Sequence, residues 1–363
     1  MAEVSTPSNH YMDILSRMLL SPSNASASSL TAELQNMQRQ NFEALSALAS
    51  TNHVIVRGME AFRSIMIDAR DDVRATWAAD AIEAEQARIF TALGFLRLIC
   101  DAFDEDGLDV TVMKSLDHWP DFGSDLDLYT NAPPEMVCAM MRRRFSAQIA
   151  PRSWGDRLAC KWNFLVPGLP EPVEVHMGRL GQTGEQLILA SRLPARARSL
   201  QFNTCTFRVP SASDRLMIST LQRMYRHFYF RLCDIVDSAE LVESGQVDFN
   251  DLKPSAQAAG IWEGVATYLV IVSDYVRRYR DTGLTLPNFV LDAARFGGNL
   301  VYFGKDFLRV PIMPQSASLY RLQLVGLLRK KELHGSARLG LLPWLATAAA
   351  VGQKITGSDK GIW

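Results

Sequence analysis

The sequence predicts an α+β fold, a small mixed sheet flanked by helical N-terminal and C-terminal regions. Three observations carry this. Apolar residues recur at helical spacing, without a proline, over residues 31–103. The period shortens to that of strands between residues 107 and 181. Helical spacing then returns from about residue 211 onward. The 363 residues suit two or three domains, and with 48% hydrophobic residues they can fill those cores.

Residues 1–30 are rich in Ser, Asn, Ala and Pro, with one apolar patch at residues 12–20, and read as a flexible arm. In the next region, residues 31–103, Ile82, Ile89, Leu93, Leu96, Cys100 and Phe103 step by seven, four, three, four and three. That spacing predicts two or three helices. They form either a helical lobe or an arm through which a homo-oligomer assembles. Residues 104–205 read as the α/β core. A short strand over 109–114 follows a turn-like Asp-Glu-Asp-Gly, residues 117–124 are loop, and a second strand covers 125–129. Pro133-Pro134 opens a helix that runs to about Phe145. Two more strands, 158–166 and 173–178, flank a Pro/Gly-rich turn and should pair as a hairpin. From Ser211 an N-cap precedes one long helix holding Leu216, Met217, Leu221, Met224, Phe228, Leu232 and Val236. Further helices are expected around 256–282, 286–296 and 316–333, which makes residues 206–363 a helical C-terminal domain.

The five cysteines are odd in number, scattered and without a CxxC pair, which argues for a reducing compartment. Cysteines and histidines together show no spacing for zinc. No basic segment precedes an apolar run at the N-terminus, so no signal peptide is expected, and the protein reads as cytoplasmic. The formal charge of −1 hides an asymmetry, −6 over residues 1–200 against +5 over 201–363. A basic C-terminal half suits an anionic ligand, and two ordinary domains also differ this much. Basic residues at 329–331 and Arg338 precede an apolar stretch at 339–351, a pattern that fits either membrane-surface contact or a packed terminal helix.

Asp125 and Asp127 stand two apart in a strand, so both project from one face while Leu126 and Leu128 fill the other. Side-by-side carboxylates repel, and a divalent cation such as Mg²⁺ or Mn²⁺ is the usual relief. Glu174 lies in the later hairpin with His176 on the same strand face. Phosphate chemistry with two ions about 4 Å apart draws on such a cluster. Taken alone, a D-x-D pair is also what a solvated edge strand carries.

Lys114-Ser115, Gly123-Ser124, Asp125-Leu-Asp127 and Glu174 together resemble the nucleotidyltransferase superfamily built on the polymerase-β-like core. The pattern is most similar to the uncharacterised bacterial nucleotidyltransferases with a K-G, D-x-D, E-x-H arrangement. The resemblance spans roughly residues 87–240, through Val173-Glu-Val-His176 and His227…Arg231-Leu-Cys-Asp234, and departs from the family where Ser115 stands in place of glycine. It implies a nucleotidyltransferase core that transfers a nucleoside monophosphate, AMP first, from an NTP to a hydroxyl on a small molecule, a protein or an RNA end. Asp125, Asp127 and Glu174 would be the catalytic acids and metal ligands. Lys114, Ser115, Gly123, Ser124 and Arg231 would meet the nucleotide, with His176, His227 and Asp234 as orienting partners. The competing reading is an inactive interaction protein on the same scaffold, in which Lys114 is a solvated strand end and His227, Arg231 and Asp234 merely share a helix face.

Overall fold

A computed structural model of the chain describes residues 7–21, 27–180, 185–202 and 205–356. The chain is mixed α+β, 63% helical and 12% strand. Five helices come first: α1 (Pro7–Leu20), α2 (Ala27–Gln35), α3 (Arg39–Thr51), α4 (Ile55–Asp68) and the 34-residue α5 (Asp72–Glu105). The expected arm is corrected at α1, where Met12, Ile14, Leu15 and Leu20 are buried. The apolar patch outweighs the polar composition around it because its side chains find a partner surface, and Ser16 Oγ sits 2.8 Å from Tyr275 Oη. Residues 1–6 and 22–26 of that arm lie outside the described residues.

On α5 the anticipated stripe is present, with Ile82, Ile89, Leu96 and Phe103 buried. Asp71 caps the helix by accepting from Arg74 N. The first turns of α5 (Ala75, Ala78, Ile82) join a core shared by α1, α3, α4 and the C-terminal helices. Its later turns (Ile89 to Phe103) join the core of the sheet. One helix therefore belongs to both cores, and the boundaries drawn at residues 30 and 205 do not separate independent ones.

The sheet contains β1 (Thr111–Val112), β2 (Leu126–Thr130), β3 (Gln148–Ile149), β4 (Lys161–Leu165) and β5 (Val173–Met177), in the order β1-β2-β5-β4-β3. Only β2 and β5 run parallel. Between β2 and β3 lies α6 (Pro134–Phe145), opened by Pro as expected. The short α7 (Trp154–Leu158) precedes β4, and β4–β5 is the anticipated hairpin. Leu126, Leu128, Val173 and Val175 are fully buried, which fixes the register of the polar face opposite them.

After α8 (Glu185–Arg196) and the hairpin β6 (Arg198–Phe202) and β7 (Cys205–Val209), the chain enters α9 (Ala212–Thr220). The single long helix expected here is broken. A π-helical segment, Leu221–His227, ends at Phe228 with φ 56°, and β8 (Tyr229–Phe230) precedes α10 (Leu232–Glu243). The aromatic run at 228–230 supplies the reason: Tyr229 and Phe230 pair with a later strand, and that ladder outweighs helical periodicity. The chain continues through α11 (Phe249–Ala258), α12 (Trp262–Tyr279), α13 (Asn288–Leu291), β9 (Tyr302–Gly304), β10 (Phe307–Arg309), α14 (Ala317–Arg329) and α15 (Leu333–Thr356). Among the described residues, no helix is long and apolar enough to cross a membrane.

Candidate functional site

The polar face of β2 and β5 concentrates charge. Asp127 and Glu174 are register partners on the two parallel strands, 5% and 8% exposed. His176, two residues beyond Glu174, shares its face, and its Nε2 lies 2.8 Å from Glu174 Oε1. Lys161 comes across from β4 and donates to Glu174 Oε2 at 2.9 Å, while also meeting Asp156 Oδ1 at 3.0 Å. Lys114, in the 3₁₀ turn after β1, places Nζ 2.7 Å from Asp127 Oδ1.

Ligand atoms of Asp127, Glu174 and His176 all lie within 4.8 Å of one another, a group able to hold a metal ion. Asp125 stands just ahead of β2, partly exposed, and takes a 2.9 Å hydrogen bond from Ser124 Oγ. It is not one of that close-packed set, so the structure gathers Asp127, Glu174 and His176 more tightly than the D-x-D pair.

Burial pushes the Asp127 carboxyl up to about 8; Asp125 and Glu174 add to the shift and Lys114 opposes it. Burial also opposes charge on Glu174, but His176, Lys114 and Lys161 hold it well below the usual carboxylate range. Burial and the two lysines lower His176 despite Glu174. The two carboxyls therefore titrate together, with burial raising Asp127 and the neighbouring cations favouring charge on Glu174. Buried carboxylates short of positive charge, offering hard oxygens, fit Mg²⁺ or Mn²⁺.

The remaining predicted residues fall in three places. Ser115 is buried, and its hydroxyl is a latch: it donates to Asp125 O at 3.2 Å and accepts from Asp127 N at 2.8 Å. The hydroxyl thereby holds the turn to β2. Gly123 is buried and its carbonyl accepts from Arg88 at 3.3 Å, whereas Ser124 is exposed beside Asp125. His227, Arg231 and Asp234 do not share one helix face. His227 ends the π-helical segment, Arg231 is extended ahead of α10, and Asp234 accepts from Arg231 N at 2.7 Å and pairs with Arg223 Nε at 2.7 Å.

A basic surface nevertheless forms there. Burial, then Arg226, Arg223, Lys114 and Arg231, push the His227 imidazole down to about 2. The lysine paired with Asp127 is thus within electrostatic reach of the π-helical segment. The buried Nε atoms of Arg226 and Arg231 have no hydrogen-bond partner. Tyr229 stacks on Phe307 at 4.3 Å, with Arg309 over Tyr229 at 5.2 Å. Helical spacing through residue 228 gives no sign of the β8–β10 pairing that presents Tyr229.

Elsewhere, a shallow cleft of about 430 Å³ lined in part by Leu19, Leu20, Val236, Glu240, Glu243 and Arg280 shares no residue with the acidic cluster. No family model, curated protein or solved structure matches this chain.

Proposed function

We propose that the chain is a metal-dependent nucleotidyltransferase that moves a nucleoside monophosphate, AMP in the first instance, from an NTP to a hydroxyl acceptor. The observation that carries this is the pairing of Asp127 with Glu174 on neighbouring parallel strands beneath Lys114, with Asp125 at the open end of β2. Asp125, Asp127 and Glu174 would hold Mg²⁺ or Mn²⁺, which when bound supplies charge neutralisation to the triphosphate. Lys114 exchanges Asp127 for a phosphate oxygen. Arg226 and Arg231 carry unpartnered guanidinium nitrogens suited to the same anion. Glu174 would ligate the metal or act as base on the acceptor hydroxyl, taking its proton as the new bond forms. The acceptor oxygen bonds to the α-phosphorus as the bond to the pyrophosphate oxygen breaks, and the donors fixed around the site stabilise the departing charge.

A second reading, an inactive interaction protein on this scaffold, is favoured by one specific feature: Lys161 and Lys114 already pair with Glu174 and Asp127. Calorimetry with ATP and GTP, with and without Mg²⁺, separates the two. The transferase reading expects metal-dependent binding that Asp125→Ala/Asp127→Ala abolishes. Equal binding in both proteins puts the nucleotide elsewhere. Binding to neither leaves the interaction-protein reading.

A further inference from the structure

We propose that His53, His118 and Cys233 form a second metal site, for a divalent ion of the zinc class, separate from the acidic cluster. Their ligand atoms lie within 4.8 Å of one another although the residues come from three distant parts of the chain. His53 follows α3, His118 lies in the loop between β1 and β2, and Cys233 is in the first turn of α10. One thiolate and two imidazoles form the soft-to-borderline donor set that zinc prefers over magnesium, leaving a fourth position for water or a small anion.

The geometry around His118 supports the assignment. Its Nδ1 faces Asp237 Oδ2 within hydrogen-bond distance, and its Nε2 lies 4.0 Å from Cys233 Sγ. Donation from Nδ1 to a carboxylate leaves the lone pair on Nε2, directed at the sulfur, as in carboxylate–histidine–metal sites. Asp237 is itself held by Arg57 Nη1 at 2.7 Å, and Arg57 Nε holds the fully buried Asp121 at 2.7 Å. The Cys233 thiolate would offset half the charge of a divalent ion. Arg231 Nη1 approaches His53 Nδ1 at a long 3.5 Å, a contact weak enough to yield to a metal–nitrogen bond. A thiol nucleophile is the other use of a Cys–His–Asp relay. Cys233, however, is fully buried, and that role leaves His53 unused.

Such an ion would clasp the loop 117–124 to the α3–α4 turn and to α10. His53 Cε1 lies 3.9 Å from where a Cβ would stand on Gly123, so the same clasp borders the loop that delivers Asp125. This proposal does not depend on the transferase reading.

The test uses the full chain, stripped with a chelator and titrated with Co²⁺ under reducing conditions. Wild type is expected to bind one Co²⁺ per chain with a near-ultraviolet sulfur-to-cobalt band and intense visible bands of a four-coordinate ion, both bleached by Zn²⁺. Asp125→Asn/Asp127→Asn is expected to keep those bands, Cys138→Ser to keep them, and Cys233→Ser to lose the sulfur band while far-ultraviolet circular dichroism is unchanged. Asp237→Asn retains all three ligands and is expected to bind Co²⁺ about 10- to 100-fold more weakly. If Cys233→Ser fails to fold, that affinity decides. Absence of the sulfur band in wild type, its survival in a folded Cys233→Ser, or unchanged affinity in Asp237→Asn overturns the site.

Discussion

Replacing Asp127 with asparagine removes one charge from the acidic cluster at almost constant shape. In the folded chain this carboxyl is pushed from 3.8 to about 8. The folded state therefore binds more protons than the unfolded state between those values, and stability is lost as pH rises through that window. A shift of roughly four units at about 1.4 kcal/mol each caps the cost near 6 kcal/mol. That shift already includes the opposing Lys114 ion pair at 2.7 Å, so metal-free Asp127→Asn is expected to gain several kcal/mol above pH 8, about 6 at most. Urea unfolding in chelator at several pH values measures this: the variant's advantage should grow from pH 5 to 8 and then level. Mg²⁺ should narrow the gap, because an ion at 100 times its Kd adds about 2.7 kcal/mol to wild type and little to the variant. Parallel pH curves for the two proteins, or equal stabilisation of both by Mg²⁺, would refute the reasoning.

Arg57→Met should cost about 3 kcal/mol in urea unfolding, since it leaves two buried carboxylates, Asp121 and Asp237, without their shared cation. Gly264→Ala places a Cβ 2.5 Å from Tyr225 Cε2, and about 1–3 kcal/mol of destabilisation is expected, with the π-helical segment displaced. Ser146 ends α6 at φ 50° and is exposed, so Ser146→Gly should raise stability by about 1 kcal/mol in the same assay. His227 stays neutral in the fold to about pH 2, whereas its unfolded form takes a proton near 6.5. Stability should therefore fall, by at most about 1.4 kcal/mol per unit, as pH drops below 6.5, and His227→Asn should flatten that slope.

What could be read in advance was local. Pro133-Pro134 announced α6, the turn at 167–172 announced the β4–β5 pairing, and alternation put Asp127 opposite Leu126 and Leu128. Glu174 and His176 share a face for the same period-two reason. What could not be read depended on distant partners. The patch at 12–20 buries because α3, α4, α10 and α12 offer a surface. The aromatics at 228–230 leave helical conformation only because β10 lies alongside. Residues 53, 118 and 233 converge through tertiary folding alone, so no spacing rule could have flagged them. The engagement of the Ser115 hydroxyl with the backbone of β2 likewise depends on a partner twelve residues away.

The sharing of cores bears on how a substrate would reach the acids. Two lobes that close by rotation need a modest, polar interface between them. Here α1, α3 and α4 share a continuous apolar core with α9 to α12, and α5 runs through both cores. Rigid-body opening would expose that apolar surface, at about 25 cal/mol for each Å². The segment built to adjust is residues 221–230. It combines a π-helical turn, a left-handed Phe228 and a two-residue strand, and it carries Arg226 and, one residue on, Arg231, each with an unpartnered nitrogen. In the transferase reading, nucleotide entry reorganises this basic segment over a fixed acidic floor. The positions of Asp127 and Glu174, which the sheet dictates, would then stay independent of Arg226 and Arg231.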